Sequence, residues 1–195
     1  MWPFRGKQRA RARAAGDATL AGHCGGVVAR AGPVEVLRCA EEHARDVVRL
    51  LSELARHEGY PPPAFTYESY RRELLGPEAW LEGFVARLEG RTVGYTLFHP
   101  AYDTQSGERG AYMVDLFVEA QCRGQGVGRA LMAAAARRSA VWGGSFLWWS
   151  AKSRNHVAMS FYAGVGEQER DVATWACFGD RFQSLLRDAA KDPQP

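Results

Sequence analysis

Hydrophobic positions along this chain follow two periods, and the switches between them predict its elements. Val34 to Cys39 is a short apolar-rich run that predicts a strand. From Ala40 to His57 the residues Val47, Val48, Leu50, Leu51 and Leu54 keep the spacing of an amphipathic helix. Gly59 and the triplet Pro61-Pro62-Pro63 end it. Tyr67 to Leu75 predicts a second short helix, stopped by Gly76-Pro77. Phe84, Ala86 and Leu88 alternate within Gly83–Glu89, Gly90 turns the chain, and Thr92 to His99 returns, which predicts an antiparallel hairpin. Asp103 to Gly110 predicts a polar turn, and Tyr112 to Val118 a buried strand. Arg129 to Ser139 is rich in Ala, Leu, Met and Arg and predicts a helix. Ser145 to Ser150 predicts a strand, Asn155 to Tyr162 a helix with Ala158 and Phe161 inward, Asp171 to Phe178 a last strand, and Arg181 to Lys191 a terminal helix. The order β-α-α-β-β-β-α-β-α-β predicts an α/β domain with a central mixed, twisted sheet flanked by helices.

Charge divides the chain. The net charge is +3, but residues 1–32 hold Arg5, Lys7, Arg9, Arg11, Arg13 and Arg30 against Asp17, so that segment is +5 and the remainder −2. The segment is rich in Ala and Gly without an apolar period, which predicts a disordered basic tail over 1–32. A folded domain over 33–191 and a short tail over 192–195 complete the division. The basic segment lacks the apolar stretch of a secretory signal, and its Arg-rich, acid-poor composition fits a transit peptide or a solvated tail alike. Without interleaved aromatics it makes a poor nucleic-acid-binding arm. A mean hydropathy of −0.33 and no long apolar run exclude a transmembrane helix. Cys24, Cys39, Cys122 and Cys177 are scattered and do not cluster with the histidines. That predicts no metal site and no disulfide framework, but reduced thiols in a cytoplasmic protein.

The strongest candidate chemistry lies between the strand Tyr112–Val118 and the helix that follows. Gly124, Gly126 and Gly128 let the backbone turn tightly with its N–H groups uncovered. With the helix N-terminus they make an anion site, flanked by Arg123 and Arg129, whose natural guest is a pyrophosphate. The spacing is neither the Gly-x-Gly-x-x-Gly of a dinucleotide fold nor a P-loop. A tight strand–helix turn without a ligand is the plain alternative.

Arg123-Gly124-Gln125-Gly126-Val127-Gly128 after Asp115-Leu-Phe-Val118 resembles the acetyl-CoA loop of the GNAT N-acetyltransferases. Within them, residues 34–191 resemble the diamine (spermidine/spermine) acetyltransferase branch. Leu51–Glu58 resembles its first-helix end, Tyr102-Asp103 its hairpin, Asn155 with Phe161-Tyr162 its second cofactor helix, and Trp175 with Phe178 its closing strand. The resemblance implies the GNAT acyl-CoA N-acyltransferase fold, acetyl-CoA as co-substrate, no metal, and transfer to a small primary amine, either a diamine or polyamine or a lysine-like molecule. It also implies a homodimer through the closing strand and terminal helix, where Trp175, Phe178, Phe182, Leu185 and Leu186 are apolar. A regulatory CoA-binding domain and an acetyltransferase of a protein amine are its alternatives.

The resemblance also assigns residues. The backbone of Leu116, Phe117 and Val118 meets the pantetheine. Gly124, Gln125, Gly126, Val127, Gly128 and Arg129 hold the pyrophosphate, with Arg123 as a point of charge beside it. Arg129 reads equally as a solvated helix residue, and Asn155, implied to bond the pantetheine arm, equally as a helix N-cap. Tyr162 matches the family's general acid. A phenol, with pKa about 10, stays protonated at neutral pH and can hand its proton to a departing thiolate. Its plain alternative is a core aromatic beside Phe161. Glu58, Asp103 and Asp115 are the implied acceptor-binding carboxylates. Val114 stands where the branch carries a glutamate proposed as the base. The proton is then expected to leave through ordered water or solvent, so that the rate keeps rising with pH toward the free-amine pKa.

Overall fold

A computed structural model describes residues 26–189; the basic segment 1–25 and residues 190–195 lie outside them. One sheet of six strands runs β1 (Val27–Ala31), β2 (Val34–Arg38), β3 (Glu82–Leu88), β4 (Arg91–Asp103), β5 (Glu108–Val118) and β6 (Gly144–Trp149), in that spatial order. Neighbours from β1 to β5 are antiparallel, and β6 joins β5 in parallel. The helices are α1 (Ala44–Glu58), α2 (Tyr67–Tyr70, continued by a π turn to Leu75), α3 (Val127–Val141), α4 (His156–Ala163) and α5 (Asp180–Ala189). The mixed α/β sheet expected from the alternating pattern is therefore present.

Successive strand residues point to opposite faces, so the sheet feeds two cores. Phe84 and Ala86 of β3 share one with Val34, Val36, Phe98 and Met113, closed by Val127 and Leu131 of α3. Val85 belongs to the other with Leu37, Tyr95, Leu97 and Phe117, closed by Val47, Leu50 and Leu51 of α1. Each such side chain contributes about 1.5–3 kcal/mol relative to exposure. Gly59 ends α1 as expected, at φ 74°, with its N–H donating to the carbonyls of Ala55 and Arg56.

Two expectations need correction. The basic segment does not stay irregular up to residue 32. Val27–Ala31 pairs with β2, Val28 and Ala29 pack on the α3-side core, and Arg30 meets Glu35 at 2.8 Å. Five residues among so many charges carry too short a pattern to register as a period. The strand expected over Asp171–Phe178 does not form, and every residue of that segment is exposed. No ladder of the sheet includes it, and a strand without a neighbour leaves its backbone groups unpaired. A third difference is one of length. The β4–β5 hairpin extends to the pair Asp103–Glu108, narrowing the polar turn to four residues, 104–107.

The irregularities of β5 open the sheet. Leu97 pairs with Asp115 and Phe98 with Met113, so Val114 is an extra residue, a β-bulge. On the other edge, pairing with β6 ends at Met113 and Trp149. From Val114 to Val118, β5 keeps β4 as a neighbour but has left β6. The opening faces the loop that enters α3 on one side and the segment that enters α4 on the other.

Candidate active site

The glycine loop joins the end of β5 to α3. Gly124 and Gly126 adopt φ of 77° and 82°, a region that side chains disfavour, and a Cβ at either would meet open space. Gly126 is the N-cap of α3, a helix of 15 residues, so its first N–H groups point at that space. Gly128 differs. A Cβ there would lie 3.2 Å from the ring of Phe161, so this glycine lets α4 approach α3 closely. The Val127 side chain is buried in the core, leaving its amide for a ligand. Arg123 spends its Nε on the Val118 carbonyl at 3.0 Å and lies over the Phe117 ring. Arg129 is exposed and reaches the Gly164 carbonyl at 3.5 Å, and Gln125 reaches the Gln121 carbonyl. Glu119, just after β5 and 3% exposed, accepts from Arg49 and Arg91 and from Gln121 Nε2. It ties the start of the loop to α1.

Along the opened stretch, Leu116 and Val118 pack toward α3 and Phe117 toward α1. Asp115, two residues before Phe117, shares the α1 side. Its carbonyl accepts from Thr96 Oγ1 at 2.8 Å. Burial, with the Glu58 carboxylate adding to it, raises the Asp115 pKa to about 6, while the Tyr95 hydroxyl opposes the shift. That hydroxyl is fully buried; Asp115 acts on it electrostatically, but among the described residues no partner meets it in hydrogen-bond geometry.

Tyr162 arrives from the other side of the opening, on α4. Its ring packs on Trp149 and Phe161, each with centroids 5.3 Å away. Burial first, then the carboxylates of Glu58 and Asp115, push its pKa up to about 12. The three groups thus sense one another across the gap between β5 and β6. Asn155 caps α4, its Oδ1 accepting from the Ala158 N–H at 3.2 Å. What remains for a ligand is its side-chain N–H₂.

Glu58 ends α1 and does not stand alone. Lys152, between β6 and α4, reaches its carboxylate at 3.3 Å and its carbonyl at 3.1 Å. Asp103 is not brought to this group. Its carboxylate accepts from Gln105 N–H and Ser106 Oγ and closes the hairpin turn. Its cross-strand partner Glu108 stands seven residues before Asp115 on β5, about 23 Å along a strand. Tyr95, Glu119 and Lys152 carry no signal in the sequence that marks them for this site. Tyr95 looks like any core aromatic, and no local pattern links Lys152 to a carboxylate 94 residues earlier.

The pattern of the Acetyltransferase (GNAT) family matches residues 37–166. Thialysine N-epsilon-acetyltransferase of Bos taurus is 28% identical over 168 residues, covering 81% of this chain and 98% of its own. The Mus musculus protein of that name is 28% identical over 161 residues, covering 77% and 93%. An integron cassette protein of V. cholerae superposes with a TM-score of 0.66 at 23% identity, over 80% of this chain and 99% of its own. An aminoglycoside acetyltransferase from an uncultured soil sample gives 0.61 at 22%, over 75% and 97%. These two likenesses speak for the fold alone, whereas the family match runs from the end of β2 through β3 to β6, with the glycine loop, and α4: the chain belongs to the GNAT family and is an acetyl-CoA-dependent N-acetyltransferase.

Proposed function

We propose that this chain transfers the acetyl group of acetyl-CoA to a primary amine of a small molecule, of the diamine, polyamine or lysine-like class, at the gap between β5 and β6. The observation that carries the reading is the parting of β5 from β6 after Met113 and Trp149, with the open glycine turn and α3 N-terminus after β5 and Tyr162 packed on Trp149 at the end of β6. The loop fits a pyrophosphate. Gly124 and Gly126 leave open space where phosphate oxygens would sit, and the α3 N-terminus supplies N–H donors and a favourable dipole. The opened backbone of Leu116, Phe117 and Val118 and the Asn155 amide would meet the pantetheine.

The residues divide the proton work. An alkyl ammonium has pKa about 10.4 and must lose a proton before attacking the thioester carbon. Asp115, at about 6, is ionised at neutral pH and would take that proton. From 10.4 to 6 the transfer is uphill by about 6 kcal/mol, against about 9 for an ordinary aspartate. Asp115 therefore helps, and the rate still climbs as more amine is free. Tyr162 holds its proton throughout the working range and gives it to the sulfur as the C–S bond breaks. Glu58 is paired with Lys152 at 3.3 Å, so its charge draws a cationic acceptor only when that pair opens.

The reading includes a homodimer in a reducing, cytoplasmic setting. Trp175 is 91% and Phe178 77% exposed, Phe182, Leu185 and Leu186 of α5 are exposed too, and β6 is the edge of the sheet. A second copy would cover this surface, and a dimer mass by light scattering at micromolar concentration is expected. Release of thiol from acetyl-CoA on mixing with a panel of amines, with the product weighed by mass spectrometry, tests the reaction. Thiol release unaffected by any amine would reject it in favour of a CoA-binding domain.

A further inference from the structure

Lys152 Nζ sits in a cation box that it did not need to enter. The side chain leaves the segment between β6 and α4, crosses the acceptor side of the gap, and ends on α1. There the Glu58 carboxylate lies 3.3 Å away, the Glu58 carbonyl 3.1 Å, and the Tyr60 ring centroid 3.4 Å. Each component favours an alkyl ammonium for its own reason. The carboxylate supplies charge, the carbonyl belongs to the negative C-terminal end of α1, and the ring offers its electron-rich face. The side chains of Lys152 and Glu58 are 23% and 24% exposed, so a competitor can enter from solvent. The box borders the reaction gap, because Lys152 lies between Trp149, the last β6 residue paired with β5, and Asn155, the N-cap of the helix that carries Tyr162.

We propose that Lys152 is a tethered competitor for the remote ammonium of the acceptor, held by Glu58 and Tyr60, and that its displacement sets which amines are accepted. This rests on the acceptor side proposed above. An amine whose nitrogen reacts near Asp115 and whose tail carries a second ammonium must evict Lys152 from the box. An amine with a neutral tail leaves the lysine in place. Eviction lowers apparent affinity by the fraction of time the box is empty. A tether keeps its ammonium at a local concentration on the millimolar scale, which a free diamine has to match. Lys152 thus selects against a remote positive charge, although the domain outside the basic segment is acidic.

Calorimetric titration of the full chain, saturated with CoA so that nothing turns over, tests this with 1,4-diaminobutane and n-butylamine. In Lys152→Met the diamine is expected to bind roughly tenfold tighter than in the unaltered chain, and n-butylamine to change less than threefold. Lys152→Arg, which refills the box, keeps the weak diamine binding. Glu58→Gln added to Lys152→Met abolishes the gain. Lys152→Gln gives the same answer if the methionine variant folds poorly. Equal diamine affinity in the methionine and unaltered chains, or equal gains for both amines, overturns the proposal. Binding is read apart from chemistry, so the two ideas fail separately. Shifted binding without acetylated product from acetyl-CoA rejects the reaction and keeps the competitor, and product with unshifted binding does the reverse.

Discussion

The two walls of the gap are made of different material. The proposed cofactor wall is backbone: the opened end of β5, the turn through Gly124 and Gly126, and the first N–H groups of α3. The proposed acceptor wall is side chains: Glu58 from α1, Asp115 and Tyr95 from adjacent strands, and Lys152 from the far edge of the sheet. Backbone recognition fits a ligand part that never changes, since amides present the same donors whatever the neighbouring side chains are. Side-chain recognition is where one member of a fold can differ from another. Substitutions on the first wall should therefore act on cofactor binding alone, and those on the second on rate, pH dependence and choice of amine.

The largest effect is expected at Gly126. Gly126→Val places a branched side chain in phosphate space at a φ of 82°, and acetyl-CoA binding should disappear from a calorimetric titration while circular dichroism stays unchanged. Full affinity in that variant would mean that the cofactor wall lies elsewhere. Tyr162→Phe should come next. Its ring keeps its packing on Trp149 and Phe161, so cofactor affinity stays and turnover falls by roughly 10²-fold or more. Unaltered turnover would reduce Tyr162 to a packing residue.

Asp115→Asn sharpens the acceptor wall. In the unaltered chain kcat/KM should rise through a pKa near 6 as Asp115 ionises, and then continue toward the free-amine pKa. The asparagine variant should lose the first rise and about tenfold in rate at pH 7. Stability should move the opposite way. The folded pKa is raised from 3.8 to about 6, so the native state holds the extra proton between those values, and ionised Asp115 costs stability above pH 6. The shift corresponds to about 3 kcal/mol, so the variant should melt about 6–12 °C higher at pH 8 and unchanged at pH 4. A melting gain of equal size at both pH values would contradict the shift. The smallest effect is expected at Gly128. Gly128→Ala pushes a methyl group against Phe161, 3.2 Å away, and should cost about 1 kcal/mol in a urea titration without changing cofactor affinity. A large loss of affinity would instead put Gly128 among the phosphate ligands.

The cofactor wall is largely legible in the amino-acid sequence. The strand, glycine turn and helix from Tyr112 to Ser139 are local, and each residue there acts on neighbours a few positions away. The hairpin of β3 and β4 and the stop at Gly59 are local in the same sense. Asp103 misleads because its chemistry is also local. A short carboxylate followed by Thr104, Gln105 and Ser106 closes a turn, and its type alone does not distinguish that from a substrate contact. The segment Asp171–Phe178 misleads for the opposite reason. Its apolar, aromatic and β-branched residues suit a strand but say nothing of whether a neighbouring strand is present.

By itself the sequence determined the two-faced sheet and the glycine turn that enters α3, because period and glycine spacing are properties of short stretches, while the candidate acid at Tyr162 came with the family resemblance. Tertiary structure alone decided the acceptor wall. The bulge at Val114 and the parting of β5 from β6 after Met113 follow from pairing between strands. The raised pKa of Asp115 follows from burial beside Glu58, 57 positions earlier in the numbering. The capture of Lys152 by Glu58 and Tyr60 spans almost half the chain. Electrostatic and packing energies depend on distance through space, and only the fold converts separation along the chain into that distance.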